Sequence, residues 1–396
     1  MEFGLWIYPW DLLDGGVEPV VGRLADLGVN SLSVTTVYHE GRFLLPKRSV
    51  RKTFSTTPGV AYFAPRADSY EAGWVPKEDR EAVQAELFPR LRAACTENGL
   101  QLRAWTIGLH DHPRPGRKVV NVFGDEYGFA LCPSVAENRH YLTCLVRDVA
   151  SRGWFDVIDL ESYGYHGYRH QYLHHERDAL SLGSLELYLL SLCFCDSCRA
   201  AAAGRGVDVE GARAAAISFL EGRLQHEGPG EGSHGLWQLT SFMVNHPEVY
   251  GYTRSAMANV AETLAQVRTA LQVGGPALGV TSATFLQPAA AMWQEGLGLE
   301  PGLWSLVDRL IVLAYFRDPK DLYDELNYVL DSTGRRPERL VVGQSLFPSE
   351  SPSLDNALSK VRVARELGIE KLCFYNYGFL PEKRIGWLAA IGRAME

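Results

Sequence analysis

Short apolar runs recur along the chain, each followed by a segment whose apolar residues return at helical spacing, and this alternation constrains the fold more than any other feature. There are eight: Phe3 to Ile7, Ser31 to Val37, Leu102 to Ile107, Phe155 to Leu160, Ala277 to Ala283, Arg309 to Ala314, Leu340 to Gly343 and Lys371 to Tyr375. Strands that are apolar throughout are buried on both faces, and alternation with helices is how a parallel sheet is covered. After the first run, Val17, Val20, Val21, Leu24 and Leu27 fall on one helical face and Gly28 follows as a helix-ending glycine. The same arrangement recurs from Tyr141 to Gly153 and from Leu354 to Gly368. Eight βα units favour an α/β fold, a single (β/α)8 TIM barrel over residues 1–396, although a length of 396 would by itself allow two or three domains.

With 46% hydrophobic and 22% charged residues, the chain can bury a large core and is not in the disordered regime. Its formal charge, 39 − 47 = −8, leaves no basic face, so no nucleic-acid or anionic-membrane partner is expected. Polar small molecules become the expected ligands, with room for self-association into a homo-oligomer. The first residues lack the basic and apolar regions of a signal peptide and no apolar run reaches a membrane span of ~18 residues, so the expected location is cytoplasmic. Seven cysteines, an odd number in a reducing compartment, point to metal binding or buried thiols. No GxGxxG or Walker loop follows any strand, which counts against nucleotide binding.

Two connections are long: Tyr38 to about Lys77, and residues 162–275 after strand four, an insertion expected to carry a His-rich loop, a Cys-rich loop and helices including Gly211 to Leu224 and Tyr252 to Leu271. Insertions on the loop face of a barrel build pockets, cover the barrel or form dimer contacts. Strand four reads Asp156-Val-Ile-Asp159-Leu-Glu161-Ser-Tyr163, so the two-residue period points Asp159 and Glu161 inward, with Glu161 at the end where barrel sites form. Paired carboxyls suit glycoside hydrolysis, whereas an inward acid can equally be tied to the barrel floor by an arginine.

The spacing of Asp156, Asp159, Glu161 and Tyr163 resembles the strand-four motif of family 18 chitinases and the related strand of the hypothetical glycosyl hydrolase families. Glu161 stands where Asp is usual, and Tyr163 replaces the chitinase catalytic Glu, so substrate-assisted chitinase chemistry is not implied. Cys193-Phe-Cys195-Asp-Ser-Cys198 offers three thiolates from one turn, enough for most of a tetrahedral zinc site, or three reduced thiols near a helix start. The motif resembles the zinc loop of family 42 β-galactosidases, a resemblance that implies a structural Zn2+ with Cys132 as fourth ligand. Cys95, Cys144 and Cys373 fall on core faces. The strand-seven nucleophile of family 42 has no counterpart, since that strand ends Gly343-Gln344-Ser345 and the nearest carboxylate is Glu350. Residues 100 to 200 together look most like an uncharacterised glycoside-hydrolase-like barrel family.

By analogy with the α-galactosidase-like clan, Glu161 attacks while Asp318, after strand six, donates the proton; Asp111 is the rival acid. Asp318 before Pro319 also fits a helix N-cap. Aromatic and hydrogen-bonding residues crowd the strand ends: Trp6, Tyr8, Trp10 and Asp11 after strand one, His39 and Glu40 after strand two, Trp105 and His110 at strand three, Tyr315 at strand six, and Tyr375 and Asn376 at strand eight. With Asp159, Tyr163, His166, His170 and His174 they are candidate contacts for a carbohydrate substrate. His170 and His174 share a helical face, which keeps a metal-dependent isomerase or hydrolase open, and the missing strand-seven Glu keeps open a carbohydrate-binding barrel without turnover.

Overall fold

The structure is a computed structural model that describes residues 1–396 apart from 49–51, 111–113, 169–179, 226–234, 272, 283–303 and 396. Eight parallel strands close on themselves: β1 (Glu2–Ile7), β2 (Ser31–Tyr38), β3 (Gln101–Ile107), β4 (Val157–Glu161), β5 (Ala277–Ser282), β6 (Arg309–Leu313), β7 (Leu340–Ser345) and β8 (Lys371–Tyr375). Each pairs in parallel with the next, and β8 pairs with β1 through Gly4 and Cys373. The expected (β/α)8 TIM barrel is therefore present, with each apolar run forming a staved wall buried on both faces.

The connections set up the loop face. After β2 an antiparallel hairpin pairs Gly41–Leu44 with Thr53–Thr56, and after β3 a second pairs Lys118–Val120 with Glu126–Leu131. Between β4 and β5 lie helices Ser184–Ser191, Asp196–Gly204, Val209–Gln225, Gly235–Asn245 and Pro247–Ala270. The last begins earlier than the spacing predicts because Pro247 supplies its first turn, a position where the missing N–H costs nothing. No helix among the described residues is long and apolar enough to cross a membrane.

The barrel floor is ionic. Arg103 on β3, fully buried, donates to Asp159 Oδ2 at 2.6 Å and to Glu2 Oε1 at 2.8 Å, and Arg309 reaches Glu2 Oε2 at 3.1 Å. Burial pushes the Asp159 carboxyl up even with Arg103 beside it. Gly279 makes the space: a Cβ there would lie 2.2 Å from Asp159 Oδ1. Asp159, expected among the substrate contacts, is thus held in the floor layer by Arg103, whose other partner, Glu2, is the first residue of β1.

Candidate functional site

Glu161 closes β4 at the opposite, loop-bearing end of the same inward face. It is half-buried, and Trp105 Nε1–H donates to its Oε2 at 2.7 Å. Burial pushes the carboxyl up to about 7, with the Trp105 hydrogen bond pulling the other way. The end of β3 clamps the turn that follows: the Gly108 N–H donates to the Glu161 carbonyl at 2.8 Å and the Leu109 N–H to the Ser162 carbonyl at 2.6 Å. Ser162 has a φ of 58°, a left-handed conformation that is strained for a serine and that turns the chain sharply away after Glu161.

Aromatic rings build the wall around it. Tyr8 OH is hydrogen-bonded to Tyr38 OH at 2.8 Å and to Tyr375 OH at 2.7 Å, and the Trp105 ring lies 5.3 Å from Tyr38 and 6.3 Å from Tyr375. Tyr8 has no exposed surface, so it supports Tyr375 and does not itself face a ligand; Trp6, Trp105 and Tyr163 are likewise buried. Tyr315 and Tyr375, 6.0 Å apart, are half-exposed and offer ring faces. Tyr38 carries the wall onward: its ring stacks on His39 at 4.2 Å.

The imidazoles expected at three separate strand ends converge. His110 lies 4.6 Å from His39 and 5.1 Å from His166, measured between ring centroids. His39 Nδ1 lies 2.6 Å from the Glu40 carbonyl, which orients the ring by making Nδ1 the donor. Burial, and then the neighbouring His39, pushes His166 down to about 4, so it stays neutral near pH 7.

A second cluster lies beside this one. Cys132, Cys193, Cys195 and Cys198 are buried, unbridged, and bring their sulfurs within 4.8 Å of one another. Cys132 Sγ is 3.5 Å from Cys198, 3.6 Å from Cys195 and 3.7 Å from Cys193. Four thiolates at ~2.3 Å from a tetrahedral ion would be roughly 3.8 Å apart, whereas a disulfide needs about 2.05 Å, so the set fits a closed metal site. The Val120 N–H at 3.4 Å from Cys193 Sγ and Tyr165 OH at 3.3 Å from Cys198 Sγ complete its surroundings. Among the described residues it is the one group of three or more ligating side chains with metal-holding geometry.

Other expectations are relocated. Asp318 is exposed and caps the helix Pro319–Ser332, its Oδ1 accepting from the Lys320 N–H at 2.8 Å, as the N-cap alternative for this residue expects. Asn376 is fully buried and accepts from the Gly378 N–H at 2.9 Å, holding the turn after β8. Asp11 bonds back to the Tyr8 N–H at 3.2 Å and lines a different cleft. Asp111, His170 and His174 lie outside the described residues, and with them the metal-enzyme expectation that rested on His170 and His174. Glu350, the nearest carboxylate to the end of strand seven, lies beyond that strand in sequence. Ser345, the last residue of β7, donates from Oγ to Glu350 Oε2 at 3.2 Å, folding that carboxylate back toward the mouth. The signal was a serine at an inward strand-end position.

No protein-family model and no curated protein matches this sequence. Solved structures do match it. The PgaB (BpsB) glycoside hydrolase domain from Bordetella bronchiseptica superposes with a TM-score of 0.62 at 14% identity, over 100% of this chain and 99% of that one. The β-galactosidase from the Antarctic haloarchaeon Halorubrum lacusprofundi gives 0.57 at 14% identity, over 99% of this chain and 58% of the other, so this chain spans under two thirds of that enzyme. The Group IV chitinase of Ostrinia furnacalis gives 0.51 at 11% identity, over 99% of both chains. At these identities the shared property is the barrel.

Proposed function

We propose that the chain is a glycoside hydrolase acting on a carbohydrate, with Glu161 as its essential carboxylate. The observation that carries this is the environment of Glu161: a strand-end carboxyl inside an aromatic wall, with its pKa raised to about 7 and, among the described residues, one oriented donor, Trp105. Near pH 7 such a group is protonated about half the time, the condition a general acid needs to protonate a leaving glycosidic oxygen. Trp105 occupies Oε2, leaves Oε1 for the substrate, and stabilises the carboxylate once the proton has gone. Tyr315 and Tyr375 offer ring faces to sugar C–H surfaces. The neighbouring folds are named for enzymes of carbohydrates, which supports the same substrate class here.

The partner carboxylate in this reading is Asp111, on the β3 loop, or Glu350, held by Ser345. Zinc is the structural metal of the four cysteines, and a cytoplasmic setting suits thiols that must stay reduced. The ion would do no chemistry; its ligands hold the loops. Cys132 follows the hairpin strand whose Ala130 bridges His110, and Tyr165, on Cys198, precedes His166, so the cluster fixes the spacing of two imidazoles.

The test is Glu161→Gln against a panel of oligosaccharides and aryl glycosides. Hydrolysis should fall at least ~100-fold with binding retained. Turnover surviving in the variant would overturn the assignment.

A further inference from the structure

A cleft of about 570 Å³ opens among the loops after β1, β2 and β8, and none of Trp6, Trp105, Glu161 or Tyr375 lines it. That volume is in the range of small-molecule sites, roughly 300–1,000 Å³. Its walls carry three acids and three bases, but four of the six are already paired. Arg48 is bonded to Asp14, and Arg23 to Glu382. Asp11 and Lys47 have no ion pair within 4.0 Å among the described residues.

Each of the two is held in place. Lys47 Nζ donates to the carbonyls of Tyr377 and Leu380 and lies 3.9 Å over the Tyr377 ring. An ammonium has three donors, so one remains for the cleft. Asp11 is 9% exposed, takes one hydrogen bond from the Tyr8 N–H, and packs against Gly378, where a Cβ would lie 2.6 Å from either carboxylate oxygen. A side chain at 378 would collide with that carboxyl, so glycine there leaves it its place on the cleft wall.

We infer that this cleft is a second binding site, for a small polar monocarboxylic acid of sugar-acid type, its carboxylate on Lys47 and a hydroxyl on Asp11. With two ion pairs closed, the walls offer one uncompensated cation, which suits a monoanion better than a phosphate dianion beside three acids. The proton balance adds a signature. Burial pushes Asp11 up to about 7 and Lys47 down to about 8, with Asp14, Arg48, Arg23 and Glu382 as the other charged groups facing them. As pH rises through this interval the pair passes from neutral acid plus ammonium to carboxylate plus neutral amine, and an anion is progressively repelled. The inference is independent of hydrolysis at Glu161.

Calorimetric titration of the full chain with D-glucuronate, D-galacturonate and D-gluconate at pH 6 and pH 8, with D-glucose as the neutral control, tests it. At least one acid should bind at pH 6 and weaken at least fivefold by pH 8, while glucose should not compete. Lys47→Met should abolish that binding, and Asp11→Asn should bind the acid severalfold tighter than wild type at pH 8. No binding of any of the three acids at tens of millimolar, or binding unchanged in both variants, overturns the site.

Discussion

Glu161→Gln should stabilise the protein while it removes activity, and the size of the gain follows from the site. The folded carboxyl titrates near 7 against an ordinary value of 4.5, a gap of about 2.5 units, worth roughly 3 kcal/mol at 1.36 kcal/mol per unit. Between those two values the folded chain keeps a proton that the unfolded chain releases. Wild-type stability therefore falls as pH rises from about 4.5 to about 7 and stays lowered above it. Glutamine is neutral throughout and can still accept from Trp105, so the variant escapes that loss. Urea unfolding of both proteins from pH 4.5 to pH 8 measures the difference, since all other titrating groups are shared. The two should be nearly equal at pH 4.5, and the variant should lead by up to about 3 kcal/mol at pH 8. A difference independent of pH would refute a carboxyl held protonated by burial, and with it the role of general acid.

Trp105→Phe removes the hydrogen bond that lowers the Glu161 pKa, so the alkaline limb of the kcat/KM profile should move above pH 7; a shift downward would contradict the arrangement. Wild-type protein should purify with one tightly bound metal ion per chain, zinc by this reading, and Cys195→Ser should lose it with a fall in Tm of several degrees; metal-free wild type by elemental analysis would remove the site. Asp318→Ala should cost ~1 kcal/mol of stability, as for a lost N-cap, and leave turnover within a few-fold; a hundredfold loss of rate would restore Asp318 as the acid.

The strands were legible because a wall buried on both faces must be apolar along its whole length, and that pattern needs no long-range information. Glu161 was legible for a related reason, since alternation and strand-end position together fix where a side chain points. Local sequence did not decide Asp318: an aspartate before a proline reads the same as a cap or as a loop acid, and only the bond from the Lys320 N–H separates them. Nor does local sequence show which cleft Asp11 lines: it stands at the third helical position after β1, where its bond from the Tyr8 N–H holds it beside Gly378. The meeting of His39, His110 and His166 was beyond the sequence, because their loops leave three different strands and their spacing depends on the hairpin and cysteine cluster that hold them.

Asp159 and Glu161 show what the two-residue period leaves open. They share a strand and a face, about 7 Å apart along it, yet one lies beside Arg103 and Arg309 while the other, among the described residues, is bonded to an indole. Cations make the first a structural pair; among the described residues none pairs with the second, the proton donor of the proposed reaction. The distinction is measurable through Arg103→Met, which leaves Asp159 buried without its main partner and should cost ~3–5 kcal/mol. Adding Asp159→Asn should recover much of that loss, because the uncompensated charge has gone. Adding Glu161→Gln to Arg103→Met should give only its own separate effect, since Glu161 is not among the groups bonded to Arg103. Recovery by the Glu161 change and none by the Asp159 change would mean that the floor and the mouth have been assigned the wrong way round.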